Sequence, residues 1–195
     1  MSKSLIAILA VVAFVVILFG MGVSKYNGLM RTSEGVDGAW SQVENQYQRR
    51  FDLIDNLVST VKGYADFEKE TLLGVTEARA RAMGAMANSD SGRNLEGVQA
   101  ADKSYGVAMG RFFGYTENYP DLKASKNFLE LQAQLEGTEN RIATERMRFN
   151  EVVKDYNTRL LTFPSNVVAG FAGLEKRDYF DSTDGAEVAP KVSFD

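Results

Sequence analysis

Nineteen apolar residues, Leu5 to Val23 (LIAILAVVAFVVILFGMGV), run near the start of the chain without one charged or strongly polar side chain. As a helix they span ~28 Å at ~1.5 Å per residue, close to the ~30 Å hydrocarbon core of a bilayer. Beyond them the pattern changes from solid to striped. Val36, Trp40, Val43, Tyr47, Phe51, Ile54, Val58, Val61 and Ala65 recur at spacings of three and four, and Leu53, Leu57 and Tyr64 widen one flank. That is the broad apolar face of a helix in a bundle core. No proline precedes Pro120, so one helix is expected to run from the apolar segment to Gly63. Gly35 and Gly38 are its weakest point, and a stop near residue 30 is the alternative.

A second helix is expected from Asp66 or Phe67 to about Ala87, on a thinner stripe of Leu72, Val75, Ala78, Ala82 and Met86. NSDSGRN at 88–94 is turn-forming almost throughout. The third helix, Leu95 to about Tyr115, carries Val98, Ala101, Tyr105, Ala108 and Phe112. It also carries Gly97, Gly106, Gly110 and Gly114, which either permit close packing or soften it. Tyr119-Pro120-Asp121 breaks the chain. The next helix has the strongest pattern: Phe128, Leu131, Leu135, Thr138, Ile142, Glu145, Phe149, Val152, Tyr156 and Leu160, near heptad spacing, to about Thr162. Pro164 bars its continuation. Two long and two shorter helices predict an all-α protein, a transmembrane helix followed by a long antiparallel four-helix bundle. Trp40, Ile54, Val58, Leu135, Ile142, Phe149 and Tyr156 are its expected core. The domain reading is a short tail at 1–4, an anchor at 5–23, the bundle at 24–180 and an acidic, extended tail at 181–195. Within SNVVAGFAGLEKRDYF a short amphipathic helix (Val167, Val168, Phe171, Leu174) precedes two aromatics that read as exposed, Tyr179 and Phe180.

The rival to an anchor is a cleaved signal peptide, whose apolar stretch is usually ~7–15 residues. The stretch here is longer, and Gly20-Met21-Gly22 is a poor cleavage site, which favours retention. Orientation is nearly undetermined by charge: Lys3 and the amino group flank one side, Lys25 and Arg31 the other. Arg49 and Arg50, just beyond, tilt the balance toward a cytoplasmic domain. Gly20, Ser24 and Gly28 lie four apart, a small-residue stripe of the kind that lets helices approach in lipid. Small residues are also simply common where a helix leaves a membrane.

Composition mostly excludes. The chain has no cysteine and no histidine and a net charge of −4. Disulfides, thiolate nucleophiles, Ser-His-Asp catalysis, histidine-ligated zinc and the Glu-x-x-His di-iron site are therefore absent. A mildly acidic chain without a basic run argues against nucleic acid as a partner. Glu68, Glu70 and Glu77 facing Glu139, Glu145 or Glu151 would suit a hard cation or acid/base work, but a solvated acidic face fits the spacing better. No catalytic residue, metal ligand or cofactor is assigned. The polar residues that stand out are Arg49, Arg50, Asp52 and Asn56 on the first helix and Arg146, Asn150 and Asn157 on the fourth. They read either as a ligand-binding polar layer or, more simply, as an interhelical network that fixes register.

The stretch AWSQVENQYQRRFDLIDNLVSTVKGYADFEKETL resembles the LemA family of bacterial membrane proteins. So do YPDLKASKNFLELQAQLEGTENRIATERMRFNEVVKDYN and FPSNVVAGFAGLEKRDYF. Tyr47 departs from an aliphatic residue frequent in the family, and Asp55 from a proline. The resemblance implies one N-terminal transmembrane helix, a cytoplasmic helical bundle at the inner membrane, no established catalysis, and membrane organisation as a theme. The expected function is thus a non-enzymatic, self-associating scaffold in contact with membrane lipid. A membrane-tethered adaptor for a stress, protease or signalling partner is the alternative, and a carboxylate-based enzyme a remote third.

Overall fold

The computed structural model of the protein describes residues 2–63 and 68–181. Among them the secondary structure is helical: α1 (Lys3–Val61), α2 (Lys69–Ala87), α3 (Leu95–Thr116), α4 (Pro120–Lys123), α5 (Lys126–Leu161) and α6 (Ser165–Ala172). The expectations for Tyr64, Ala65, a helix start at Asp66 or Phe67, and the tail from 182 onward lie outside the described residues.

α1 is one helix of 59 residues, ~88 Å at ~1.5 Å per residue, and neither Gly35 nor Gly38 interrupts it. The alternative, a stop near residue 30, does not occur. A mid-helix glycine costs only ~1 kcal/mol, and packing outweighs it: Leu29, Val36 and Trp40 are buried around the weak point, and Val152 lies 3.8 Å from the Cβ position at Gly35. The first residues of the helix are capped by Ser2, whose Oγ accepts from Leu5 N.

α1 packs mainly against α5, and α2 against α3, while α6 sits on both α1 and α5. Along the α1–α5 seam, Gly35 lies by Val152, Trp40 by Phe149, Tyr47 by Arg146 and Arg50 by Glu139. Trp40, Ile54, Val58, Leu135, Ile142, Phe149 and Tyr156 are all buried. So are the α2 residues Leu72, Val75, Ala78, Ala82 and Met86. The fourth pattern divides into two helices. Pro120 occupies the first turn of α4, and Ser125 (ψ 124°) breaks the chain before α5 begins. α3 is buried on Leu95, Val98, Tyr105, Met109, Phe112 and Thr116, which includes the expected Val98, Tyr105 and Phe112, while Ala101 and Ala108 pack half-buried at its edge. Its glycines at 97, 106, 110 and 114 have no neighbour within 4 Å of a Cβ, so close packing is not their use.

Two turns need left-handed backbone. Between α2 and α3, Asp90, Ser91 and Gly92 have φ of 44°, 55° and 78°. At Gly92 a Cβ would come 2.8 Å from Phe149 Cζ and 3.0 Å from Trp40 Cε3, so the loop seats its backbone on the aromatic core where any side chain would collide. Gly173 (φ 64°) ends α6, with Leu174 N donating to Ala169 O at 3.0 Å, a Schellman closure. The chain then returns along α5 as an extended strap, residues 174–181.

Candidate functional site

Charged side chains enter the core from three helices at one level. Arg50 on α1 is 1% exposed. Its Nη2 donates to Asp102 Oδ1 on α3 at 2.5 Å, and its Nη1 donates to Glu139 Oε2 on α5 at 2.8 Å. Arg146 on α5 donates to Asp102 Oδ2 at 2.8 Å and to the Tyr47 hydroxyl. Asp102 therefore bridges two guanidinium groups. Both also lie over rings, Arg50 over Tyr47 (4.6 Å) and Tyr105 (4.2 Å), and Arg146 over Phe180 (4.9 Å). Desolvation is thereby offset by charge, hydrogen bonds and ring faces together. The Nε atoms of both arginines remain buried without a hydrogen-bond partner among the described residues.

The electrostatics point to a fixed staple. Burial would raise the Asp102 carboxyl, but Arg50 and Arg146 outweigh it and hold the group below its ordinary value. Burial likewise opposes charge on both arginines, and Asp102 and the tyrosines reverse that, raising Arg50 and Arg146. Burial pushes the Tyr47 and Tyr105 hydroxyls up to about 12, so both stay protonated at neutral pH. An ionised carboxylate spanned by two guanidinium groups is no general base, and neither phenol is an activated nucleophile. Mechanically, the cluster ties the α2–α3 pair to the α1–α5 pair. A second tie lies nearby, where Arg79 on α2 reaches Phe51 O (3.1 Å) and Asp55 (2.5 Å) on α1.

The second polar assembly holds the strap. Asn157 Nδ2 donates to Arg177 O at 2.9 Å, and its Oδ1 accepts from Arg177 N at 3.0 Å. Asn150 repeats the pattern on Phe180 O and N, both at 2.9 Å. Each asparagine thus treats one strap residue as a neighbouring strand would. The spacing explains why this works: seven helical residues rise ~10.5 Å, and three extended residues span ~10 Å. Tyr156 Oη donates to Glu175 O at 2.9 Å. The Arg177 side chain, 3% exposed, reaches Asp37 Oδ1 at 2.9 Å, Ser33 Oγ at 3.4 Å and Ser91 O at 3.2 Å. One arginine joins α1, the α2–α3 loop and the strap. Phe180, expected to be exposed, is buried and stacked on Trp40 at 5.9 Å, because the Asn150 clamp turns it inward; Tyr179 is exposed.

The single polar network expected from the sequence is therefore not the arrangement found. Arg50 and Arg146 share one cluster, and Asn150 and Asn157 belong to the strap clamp. Arg49, Asp52 and Asn56 face solvent, with Asp52 accepting from Gln48 at 2.9 Å. Residues 49, 52 and 56 fall on the side of α1 opposite the Tyr47, Arg50 and Ile54 stripe, which at ~3.6 residues per turn cannot share its face. Asp102 and Arg177 join the clusters without having been singled out, and Tyr105 and Glu139, read as an apolar-stripe residue and a candidate acid, join the Arg50 cluster. The candidate acids do not converge: Glu77 lies by Arg81, Glu139 by Arg50 and Glu145 by Arg148. Among the described residues no group of three acids is placed to hold a metal ion.

Gly20, Ser24 and Gly28 lie on α1 with open space around both glycines. All of residues 5–23 project from the packed helices. The span is long and apolar enough to cross a membrane, and none of its most apolar window is buried by protein.

Comparison with known proteins places the chain in a family. Magnetosome protein MamQ 2 of Paramagnetospirillum magneticum is 27% identical over a 194-residue alignment covering 90% of this chain and 70% of that protein. Magnetosome protein MamQ of Magnetospirillum gryphiswaldense is 25% identical with the same coverage. Protein LemA of Metamycoplasma hominis is 28% identical over 155 residues, 78% of this chain and 67% of that protein. The LemA family model matches residues 39–194, which takes in the Arg50–Asp102–Arg146 cluster and the strap, and the chain belongs to the LemA family.

Proposed function

We propose that this protein is a membrane-anchored, non-enzymatic helical scaffold. In this reading residues 5–23 cross a bacterial inner membrane and the remaining helices form an antiparallel four-helix bundle on the cytoplasmic side. Copies associate side by side through Gly20, Ser24 and Gly28, and so organise the membrane or its proteins. The observation that carries it is α1 itself. One unbroken helix is apolar and uncovered along residues 5–23 and packed into a core from Leu29 onward. A core helix would have its apolar window covered by protein; this one needs lipid to cover it. The rigid joint then transmits contacts made in the membrane to the domain. The opposed order of contacts along α1 and α5 supports the antiparallel arrangement. The mutual commitment of Arg50, Arg146 and Asp102 supports a structural rather than catalytic role for the polar core. The magnetosome relatives accord with a part in membrane organisation.

Cross-linking in intact membranes tests the scaffold. A ladder at multiples of the 21.5 kDa chain is expected. One discrete band joining the chain to a foreign protein replaces the scaffold by a tethered adaptor. A C-terminal phosphatase fusion should be inactive in intact cells, and activity would place the domain outside the cytoplasm.

A further inference from the structure

The proposed function leaves one apolar surface unused. Phe171 is 91% exposed, Phe163 78%, Leu161 55% and Val167 49%. They fall within one short stretch, residues 161–171, that includes the α5–α6 corner and most of α6. Val167 and Phe171 lie four apart on one face of α6, Phe163 stands in the corner just before it, and the opposite side of α6 is seated through buried Ala169. Two phenylalanines and a valine uncovered between residues 163 and 171 are not ordinary surface.

Its place in the fold names its occupant. The α1–α5 seam runs from Arg50–Glu139 through Trp40–Phe149 to Gly35–Val152, so the end of α5 lies at the end of the domain where the apolar part of α1 emerges. Leu29 is the first buried residue of α1. It stands six residues beyond Val23, ~9 Å along the axis. The polar layer of a bilayer extends ~5–8 Å beyond the hydrocarbon. α6 lies about one helix spacing, ~8–10 Å, to the side of α1, so an ordinary tilt of ~20–30° toward it lowers the patch by a further ~3–5 Å. Because α1 is continuous from the anchor into the core, the height of this corner is fixed by the anchor and not by a flexible linker. Tyr26, 42% exposed, occupies the same level, where aromatic residues favour the membrane–water boundary.

We infer that α6 and the α5–α6 corner form a membrane-docking foot, in which Phe163, Val167 and Phe171 insert into the headgroup layer of the bilayer that holds α1. This rests on the reading of residues 5–23 as a membrane anchor. The foot gives the domain a defined tilt and rotation against the bilayer, which a lone transmembrane helix cannot impose. The strap that follows is locked to α5 by Asn150 and Asn157, so α6 is pinned at both of its ends.

The chain has no native cysteine, so single thiols report depth directly. Full-length variants Phe14→Cys, Val167→Cys and Met147→Cys, each carrying an environment-sensitive fluorophore, are reconstituted in phosphatidylcholine–phosphatidylglycerol vesicles. The vesicles contain lipids with a nitroxide quencher near the headgroup or near the acyl-chain end. The label at 14 is quenched by the deep nitroxide, the label at 167 by the shallow one, and the label at 147 by neither. Adding Phe163→Asp and Phe171→Asp abolishes quenching at 167 and leaves that at 14, and the helical circular dichroism, unchanged. Quenching at 14 without quenching at 167 overturns the foot and leaves the anchor standing. Absence of quenching at 14 overturns the anchor and the foot with it. Self-quenching at 167 that unlabelled protein relieves, without lipid quenching, assigns the patch to a second copy and overturns the foot. Unchanged quenching at 167 in the double-aspartate variant removes the two rings from the contact.

Discussion

Replacing Asp102 by asparagine tests whether the buried cluster holds the two helix pairs together. The change preserves volume and one acceptor oxygen but deletes the charge that sits 2.5 Å from Arg50 and 2.8 Å from Arg146. Arg50, 1% exposed, then keeps only Glu139 as an ion-pair partner, and the Glu139 side chain is more than half exposed. Removing one partner of a buried pair typically costs ~3–5 kcal/mol. Asp102 retains 18% side-chain exposure and asparagine still accepts one bond, so ~2–4 kcal/mol is expected. Against a total stability of ~5–15 kcal/mol and a urea slope of ~2 kcal/mol/M, the midpoint drops by ~1–2 M. Urea titration of full-length protein in detergent, followed by the fluorescence of Trp40 (the single tryptophan), measures it. The variant should also change the acid limb. The folded-state pKa of Asp102 lies below its unfolded value of ~3.9. Its stabilisation is therefore complete above about pH 4–5 and is lost as pH falls through the folded value. Wild type should lose part of its advantage over the variant at low pH. A difference below ~1 kcal/mol at neutral pH would refute the bridge, since surface substitutions fall within ~0.5 kcal/mol.

Ile54→Ala and Leu135→Ala, at residues 0% and 6% exposed, should each cost ~2–5 kcal/mol by urea titration. Asn157→Ala leaves the Arg177 backbone N–H and C=O without their partners and should cost ~1–3 kcal/mol. Trypsin should then cut after Lys176 or Arg177 well before the domain unfolds. Tyr47 and Tyr105 are protonated in the folded state up to about 12, against ~10 when unfolded. Their stabilisation is therefore full below about pH 10 and lost between ~10 and ~12, and Tyr105→Phe should flatten that alkaline limb of the stability curve.

Much of the architecture was legible because its signals are periodic. The stripes of α1 and α5 pointed to buried Trp40, Ile54, Leu135, Ile142 and Phe149, and Pro164 marked the end of α5. Within the site, Arg50 stood on the core stripe of α1 and Asn150 and Asn157 shared one face seven residues apart, so their importance showed. Asp102 carried a signal that was passed over. It lies between Val98 and Tyr105 at spacings of four and three, an acid on a core stripe in a chain with arginine on another. The α3 face was read from its apolar residues alone, Val98, Ala101, Tyr105, Ala108 and Phe112, so the acid beside Ala101 was not counted with them. Arg177 and Phe180 had no such signal. They are buried by an extended strap, whose partners are side-chain amides some 20–30 residues earlier, and no periodicity in the strap records that pairing. Arg49, Asp52 and Asn56 were grouped with Arg50 by proximity in sequence, where helical geometry separates them.

The scaffold reading stands on self-association set by the anchor, and the mass of the detergent-solubilised full-length particle tests it most directly. Light scattering, corrected for bound detergent, should give a multiple of 21.5 kDa for wild type. Glycine-to-isoleucine changes at Gly20 and Gly28 should reduce it, because added bulk blocks close approach of helices in an apolar phase, while Trp40 fluorescence stays that of a folded core. A wild-type particle of a single chain, or a double variant that associates as wild type does, would contradict the account.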